Sequence, residues 1–297
     1  MVLDDFFKII NVSETTQKKY SKWYNKIISS ALTDSIFNID KNTLIDIAIL
    51  VGGKSKIDVL SFITNIYSKL RQDEDLTIFK NKLAEWRKVR LDNQPSKNKE
   101  EISVITYEEL NKLLNTSLKT IKPESNKAKY VVALYILFHF NVRNKDLIIT
   151  YIKKKEFEQL PDKEKSNKNY IFFDKDKLYY LRNDYKTAGQ YGSKAHVFTN
   201  RFIKQYLKKN KEIKINYPIF INKSNSDYYN ANNIQRLTTD ILNELTDNND
   251  KYINQQILYK IIVNHYTNKN NFKKLKTISN NRGQDMNTQS KYYSTMK

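Results

Sequence analysis

The chain has 297 residues, of which 52 are Lys or Arg and 32 are Asp or Glu, and its formal net charge is +20. A surplus of that size attracts a polyanion, and nucleic acid is the usual one; part of the lysine count reflects an A+T-rich codon bias shared by Asn and Ile. The absence of cysteine excludes disulfides, thiolate zinc sites and a cysteine nucleophile, and three dispersed histidines (His139, His196, His265) argue against a histidine-rich metal site.

The first ninety residues read as helices. Ser13 or Thr15 caps a segment carrying Tyr20, Trp23, Tyr24, Ile27 and Ile28, spaced three and four apart. A second helix starts at the capping residue Asp40 and stops at Gly52 and Gly53. A third carries Ile57, Leu60, Ile63, Ile66, Tyr67 and Leu70, and a fourth Leu76, Phe79, Leu83, Trp86 and Val89. Such helices form a bundle with a Lys- and Arg-rich solvent face. The polar run DNQPSKNKEE over 92–101, with one proline and no apolar period, is expected to be a linker.

A second domain is expected over 102–297. It opens with a capping box, Thr106 and Glu109, ahead of Leu110, Leu113 and Leu114. The apolar stretch 127–140 reads as a buried helix. Short β-prone runs follow at 147–152, 170–173, 178–181 and 196–198, and helical patterns resume at 202–207, 234–245, 253–266 and 272–278. This order gives an α+β fold, mostly helical. No apolar run reaches the ~18–20 residues that span a bilayer, so no membrane association is expected. The opening MVLDDFFKII is acidic before it is apolar, unlike a secretory signal. An intracellular, reducing setting is the expectation, in the cytoplasm or nucleus or inside a virion.

Three places carry groups with chemical potential. Arg143 leaves the buried helix with Asp146 three residues on, and two readings stand side by side. In one, the two form a local ion pair that holds a turn; in the other, Asp146 orients Arg143 while its remaining donors clamp a phosphate. The segment LYYLRNDYKTAGQYGSKAHVF reads as a hairpin, with Lys186 at the end of its first strand and Gly189 and Gly192 allowing the reversal. A lysine there can donate a proton to a leaving oxygen, or be one solvated lysine among many. Tyr292 and Tyr293 sit in a short polar helix near the end of the sequence, where a core role is hard to arrange. A phenol attacks phosphorus competently when cations stabilise the developing charge.

Together these places resemble the tyrosine recombinase (phage integrase) family, and nearly the whole chain can be laid on its two-domain plan. SETTQKKYSKWYNKI resembles the helical core-binding domain, assigned to 1–93, with a linker at 94–101 and the catalytic domain with its small antiparallel sheet at 102–297. LYILFHFNVRNKDL resembles the first arginine motif and YKTAGQYG the hairpin carrying the family's lysine. RGQDMNTQSKYY resembles the block in which Gly-His precedes the nucleophilic tyrosine by about nine residues, pointing to Tyr293 or, with one residue fewer, Tyr292. Two positions depart from the pattern. Lys260, or on a shifted alignment Tyr259, falls at the second arginine, with Gln256 or Ile257 at the histidine before it. Gln284 replaces the Gly-His histidine. Loss of one arginine of a bidentate clamp costs about 2–4 kcal/mol of transition-state stabilisation.

The resemblance implies site-specific DNA recombination or integration without cofactor. Arg143 and Lys260 neutralise the scissile phosphate, Gln284 donates to it, Lys186 protonates the leaving 5′-oxygen, and Tyr293 or Tyr292 forms a 3′-phosphotyrosyl link. It further implies double-stranded DNA as partner and a homo-oligomer, usually a tetramer, on it. The lysine bias and diverged motifs are associated with a virus, phage or mobile element. The rival readings are a catalytically impaired relative that binds or packages DNA, a type IB topoisomerase, and an unrelated basic helical scaffold.

Overall fold

The computed structural model describes residues 2–185, 187–222, 227–246 and 253–295, and the chain divides into two units, Met1–Asn93 and Gln94–Lys297. The first unit is built from α1 (Val2–Ile9), α2 (Glu14–Ala31), α3 (Lys41–Gly52), α4 (Lys56–Leu70) and the opening part of α5 (Thr77–Ile102). The expected caps form. Ser13 accepts from the Thr16 N–H, and Asp40 accepts from those of Asn42 and Thr43, both at 3.0 Å. Gly53, at φ +49°, ends α3 where a side chain would be strained. The helices bury Phe6, Ile27, Leu44, Leu60, Phe62, Ile66 and Phe79 in one core. Each such side chain is worth roughly 1.5–3 kcal/mol on burial.

The stretch 94–101, expected as a linker, is helical: α5 runs through it with Pro95 inside. What sustains it is polar and long-range. Asn98 is fully buried, and its amide donates to the carbonyls of Tyr292 (3.2 Å) and Ser294 (2.6 Å). Contacts of that kind leave no apolar period in the sequence.

In the second unit the Thr106–Glu109 capping box opens α6 (Tyr107–Thr120), and α7 (Ala128–Phe140) follows, buried for most of its length. Next come β1 (Ile149–Tyr151), α8 (Lys154–Gln159), α9 (Asp162–Asn167), β2 (Asn169–Asp174), β3 (Lys177–Arg182), α10 (Ala188–Tyr191) and β4 (Lys194–Phe198). The chain continues with α11 (Arg201–Lys209), β5 (Ile221–Asn222), β6 (Asp227–Tyr228), α12 (Ile234–Thr239) and α13 (Ile241–Thr246). Last come α14 (Gln255–Asn268), α15 (Phe272–Arg282) and α16 (Met286–Tyr293). Helix α7 packs against α6, α12, α13 and α14 in a core that also takes Ile149, Ile171, Leu178 and Tyr180 from the sheet.

The main sheet runs β1-β2-β3-β4. It is mixed, not antiparallel throughout: β2–β3 and β3–β4 are antiparallel, but β1 pairs with β2 in parallel, Ile149 opposite Asn169. A parallel pair needs a crossover, and α8 and α9 supply it. The fold is α+β and mostly helical. Among the described residues no helix is long and apolar enough to cross a membrane.

Candidate functional site

Helix α7 ends on Asn141, whose left-handed backbone (φ 55°) turns the chain so that Val142 is buried and Arg143 emerges. The Arg143 N–H donates to the Asp146 carboxylate at 3.0 Å, and the Asp146 N–H returns a bond of 3.0 Å to the Arg143 carbonyl. The carboxylate itself is fully buried and paired with the guanidinium of Arg182. Asp146 thus fixes the backbone of Arg143 and is not the partner of its guanidinium, as the local ion pair required. Nη1 of Arg143 is buried and makes no hydrogen bond among the described residues. A buried donor left without a partner costs about 1–3 kcal/mol.

Arg182 reaches the interior by strand alternation. Leu178, Tyr180 and Arg182 share the buried face of β3 while Tyr179 and Leu181 lie on the other. Its guanidinium donates to Asp146 on one side and to the Asn281 carbonyl on the other, and lies 4.6 Å above the Tyr185 ring. The Tyr180 hydroxyl donates to the Asp146 carbonyl at 2.7 Å, and burial pushes that phenol well above its ordinary pKa. One buried guanidinium therefore brackets the Arg143 turn and the turn after α15.

That second turn carries Arg282, Gly283 and Gln284. Gly283 is left-handed (φ 64°), and the Gln284 N–H closes back on the Ser279 carbonyl at 3.1 Å, which ends α15. Asp285 then accepts from the Thr288 N–H at 2.8 Å and starts α16. A Cβ at Gly283 would lie 2.3 Å from Thr187 Oγ1, the atom that donates to the Gly283 carbonyl at 2.9 Å. Gly283→Ala is expected to lower stability by about 1–3 kcal/mol in urea unfolding, from positive-φ strain and this clash together. An unchanged midpoint would refute the account.

Tyr259, Arg282, Gln284 and Tyr293 meet at one point. The Tyr293 ring stands edge-on to Tyr259, centroids 4.8 Å apart at 88°. Cζ of Arg282 lies 3.8 Å from the centre of the Tyr259 ring and 5.5 Å from that of Tyr293. The Gln284 amide donates to the Tyr259 hydroxyl at 2.6 Å. Burial holds the Tyr259 phenol protonated, with its pKa well above the ordinary value, and the charges of Arg282 and Arg143 oppose this only in part. Burial likewise lowers the pKa of Arg282, and the charge of Arg143 adds to the effect.

Lys260 lies elsewhere: one residue on along α14, it is buried against Glu101 in an ion pair. Tyr259, not Lys260, is the α14 residue at the meeting point. Tyr292 is 37% exposed, whereas Tyr293 is half-buried against the core. The end of α16 is pinned from two sides. Asn98 holds the carbonyls of Tyr292 and Ser294. Asn264 donates to the Tyr293 carbonyl at 2.7 Å and accepts from Thr295. Lys186 lies outside the described residues; its neighbour Tyr185 lies under Arg182.

Sequence reasoning missed Arg182, Arg282, Asn98 and Asn264. An arginine in phase with Leu178 and Tyr180 was a readable signal for the first. Arg282, beside the glycine that ends its helix, was legible as a position but not as a direction.

No protein-family model matches the sequence, and no curated protein matches it. Among solved structures, the chain is similar to XerA recombinase, at 13% identity over 98% of this chain and 92% of that one, with a TM-score of 0.38. It is also similar to the XerH site-specific recombinase bound to difH substrate in a pre-cleavage complex. There the identity is 16%, the coverage 87% of this chain and 67% of that one, and the TM-score 0.50. The fold of this chain is that of the tyrosine recombinases.

Proposed function

We propose that this chain breaks and rejoins double-stranded DNA as a site-specific tyrosine recombinase or integrase. The observation that carries the reading is the meeting of the Tyr293 phenol with Arg282 at Tyr259, beside the Arg143 turn that Asp146 and Arg182 tie to the Asn281 carbonyl at the end of α15. In the proposed step the Tyr293 oxygen attacks phosphorus and its proton passes to solvent water. The bond from phosphorus to the 5′-oxygen breaks, and Lys186 protonates the departing oxygen. A 5′-hydroxyl from another strand reverses the step, so one phosphodiester is exchanged for another and no external energy is needed. Gln284 and Asp146 act as positioning residues, one through Tyr259 and the other through the Arg143 backbone. The unit 1–93 would serve as a core-binding domain, the unit from 94 onward as the catalytic one, and the active form would be an oligomer on DNA, as a tetramer.

The test is a pool of random-sequence duplexes, each nicked so that a released fragment is lost, scored for a covalent protein–DNA band on denaturing gels. A band from the intact chain supports the reading; none rejects it.

One observation favours a second reading, a relative that binds DNA without cleaving it: Lys260 is engaged by Glu101 and so does not supply the missing cation. In both readings DNA affinity should be strongly salt-dependent, because a charge of +20 acts on phosphates. With some six or more phosphate contacts, affinity should fall about a thousandfold between roughly 50 and 200 mM salt. A flat response would count against both.

A further inference from the structure

We propose that Arg282 supplies the second guanidinium of the site, so that Arg143 and Arg282 together clamp one anionic phosphoryl group. This rests on the function proposed above and adds to it the source of the cation that α14 lacks.

The geometry is specific. Arg282 is the last residue of α15, directly before the left-handed Gly283, and its backbone is anchored from two directions. Arg182 holds the preceding carbonyl at Asn281, and Thr187 holds the following one at Gly283. The side chain is almost wholly buried and lies over the Tyr259 ring, with Cζ 3.8 Å from its centre. Gln284 grips the hydroxyl of that ring at 2.6 Å. Tyr259 therefore acts as a platform where an arginine would otherwise project from α14.

The chemistry points to an anion. Arg182 ties the Arg143 turn, through Asp146, to the carbonyl of Asn281 next to Arg282, and Arg143 keeps a buried nitrogen without an acceptor among the described residues. Two such guanidinium groups are most stable with an anion between them. Each is a planar fork whose donors match the paired non-bridging oxygens of a phosphodiester, which a lysine cannot reproduce. Arg282 also lies 5.5 Å from the centre of the Tyr293 ring, so a single side chain would stand beside both the attacking phenol and the phosphorus.

The experiment uses the full chain with Arg282→Met, which keeps the packing volume and removes the charge, and Arg282→Lys, which keeps the charge without the fork. Orthovanadate binding is measured by calorimetry, adduct formation on the nicked pool, and folding by thermal melting. Arg282→Met is expected to weaken vanadate binding at least about tenfold and to slow adduct formation about a hundred- to a thousandfold. Arg282→Lys should fall between, and carries the test if the Met variant does not fold. No vanadate binding by the intact chain, or equal binding by folded variants, overturns the clamp. If vanadate binds and depends on Arg282 but no adduct forms with the intact chain, the clamp stands and the recombinase reading fails. Adduct formation by the intact chain at a rate indifferent to Arg282 overturns the clamp and leaves that reading in place.

Discussion

Tyr293→Phe is expected to abolish the covalent adduct, a loss of at least about 10⁴-fold, because no other group replaces a missing nucleophile. The change removes one oxygen. The ring would still stand edge-on to Tyr259, and the backbone after it would still be held by Asn98 and Asn264, so α16 should keep its place. Affinity for DNA should therefore change little. Tyr292→Phe is the control, since that side chain is 37% exposed and its residue contributes its backbone carbonyl to the Asn98 bond. An adduct that survives in the Tyr293 variant and disappears in the Tyr292 variant would transfer the role to the neighbour. Peptide mapping of the adduct gives an independent reading of which phenol is modified.

The largest effect on stability is expected at Arg182. Arg182→Ala should lower the unfolding free energy by about 3–5 kcal/mol, the usual cost of removing one member of a buried ion pair. Both members are fully buried here, so Asp146 would be left as an unpaired charge in the core. Replacing the pair as a whole is different. Arg182→Met combined with Asp146→Asn should recover much of the loss, since an apolar or neutral pair often matches a buried ion pair in stability. Activity should not recover with it, because Arg182 also joins the Arg143 turn to the Asn281 carbonyl. Urea unfolding of the two variants decides it: a loss below about 1 kcal/mol in Arg182→Ala would mean the bracket is not structural.

Much of the local architecture can be read from adjacent residues. Asp40, the Thr106–Glu109 box and Gly53 mark helix ends where expected, because a cap is satisfied by backbone groups within a few residues. The apolar run before Arg143 is the central helix for an equally local reason, its density of hydrophobic side chains. The helical course of 94–101 was not legible because Asn98 finds its partners 194 and 196 residues away. The parallel pairing of β1 was hidden likewise, since two short polar helices provide a crossover that no apolar period announces.

The candidate site divides along the same line. Arg143, Gln284 and Tyr293 could be named from motif and spacing, because each follows a turn or helix whose local sequence is distinctive. Partner choice could not. Asp146 lies three residues from one arginine and pairs with another 36 residues on, and Lys260 rather than Tyr259 turns away toward Glu101. By itself the sequence determined the helical caps, the α+β class, the positive charge and which residue types were chemically able. Only the tertiary structure decided which cations face the phenol. Side-chain direction and long-range pairing depend on how separate elements pack, and charges a few ångströms apart in space leave no trace of that distance along the chain.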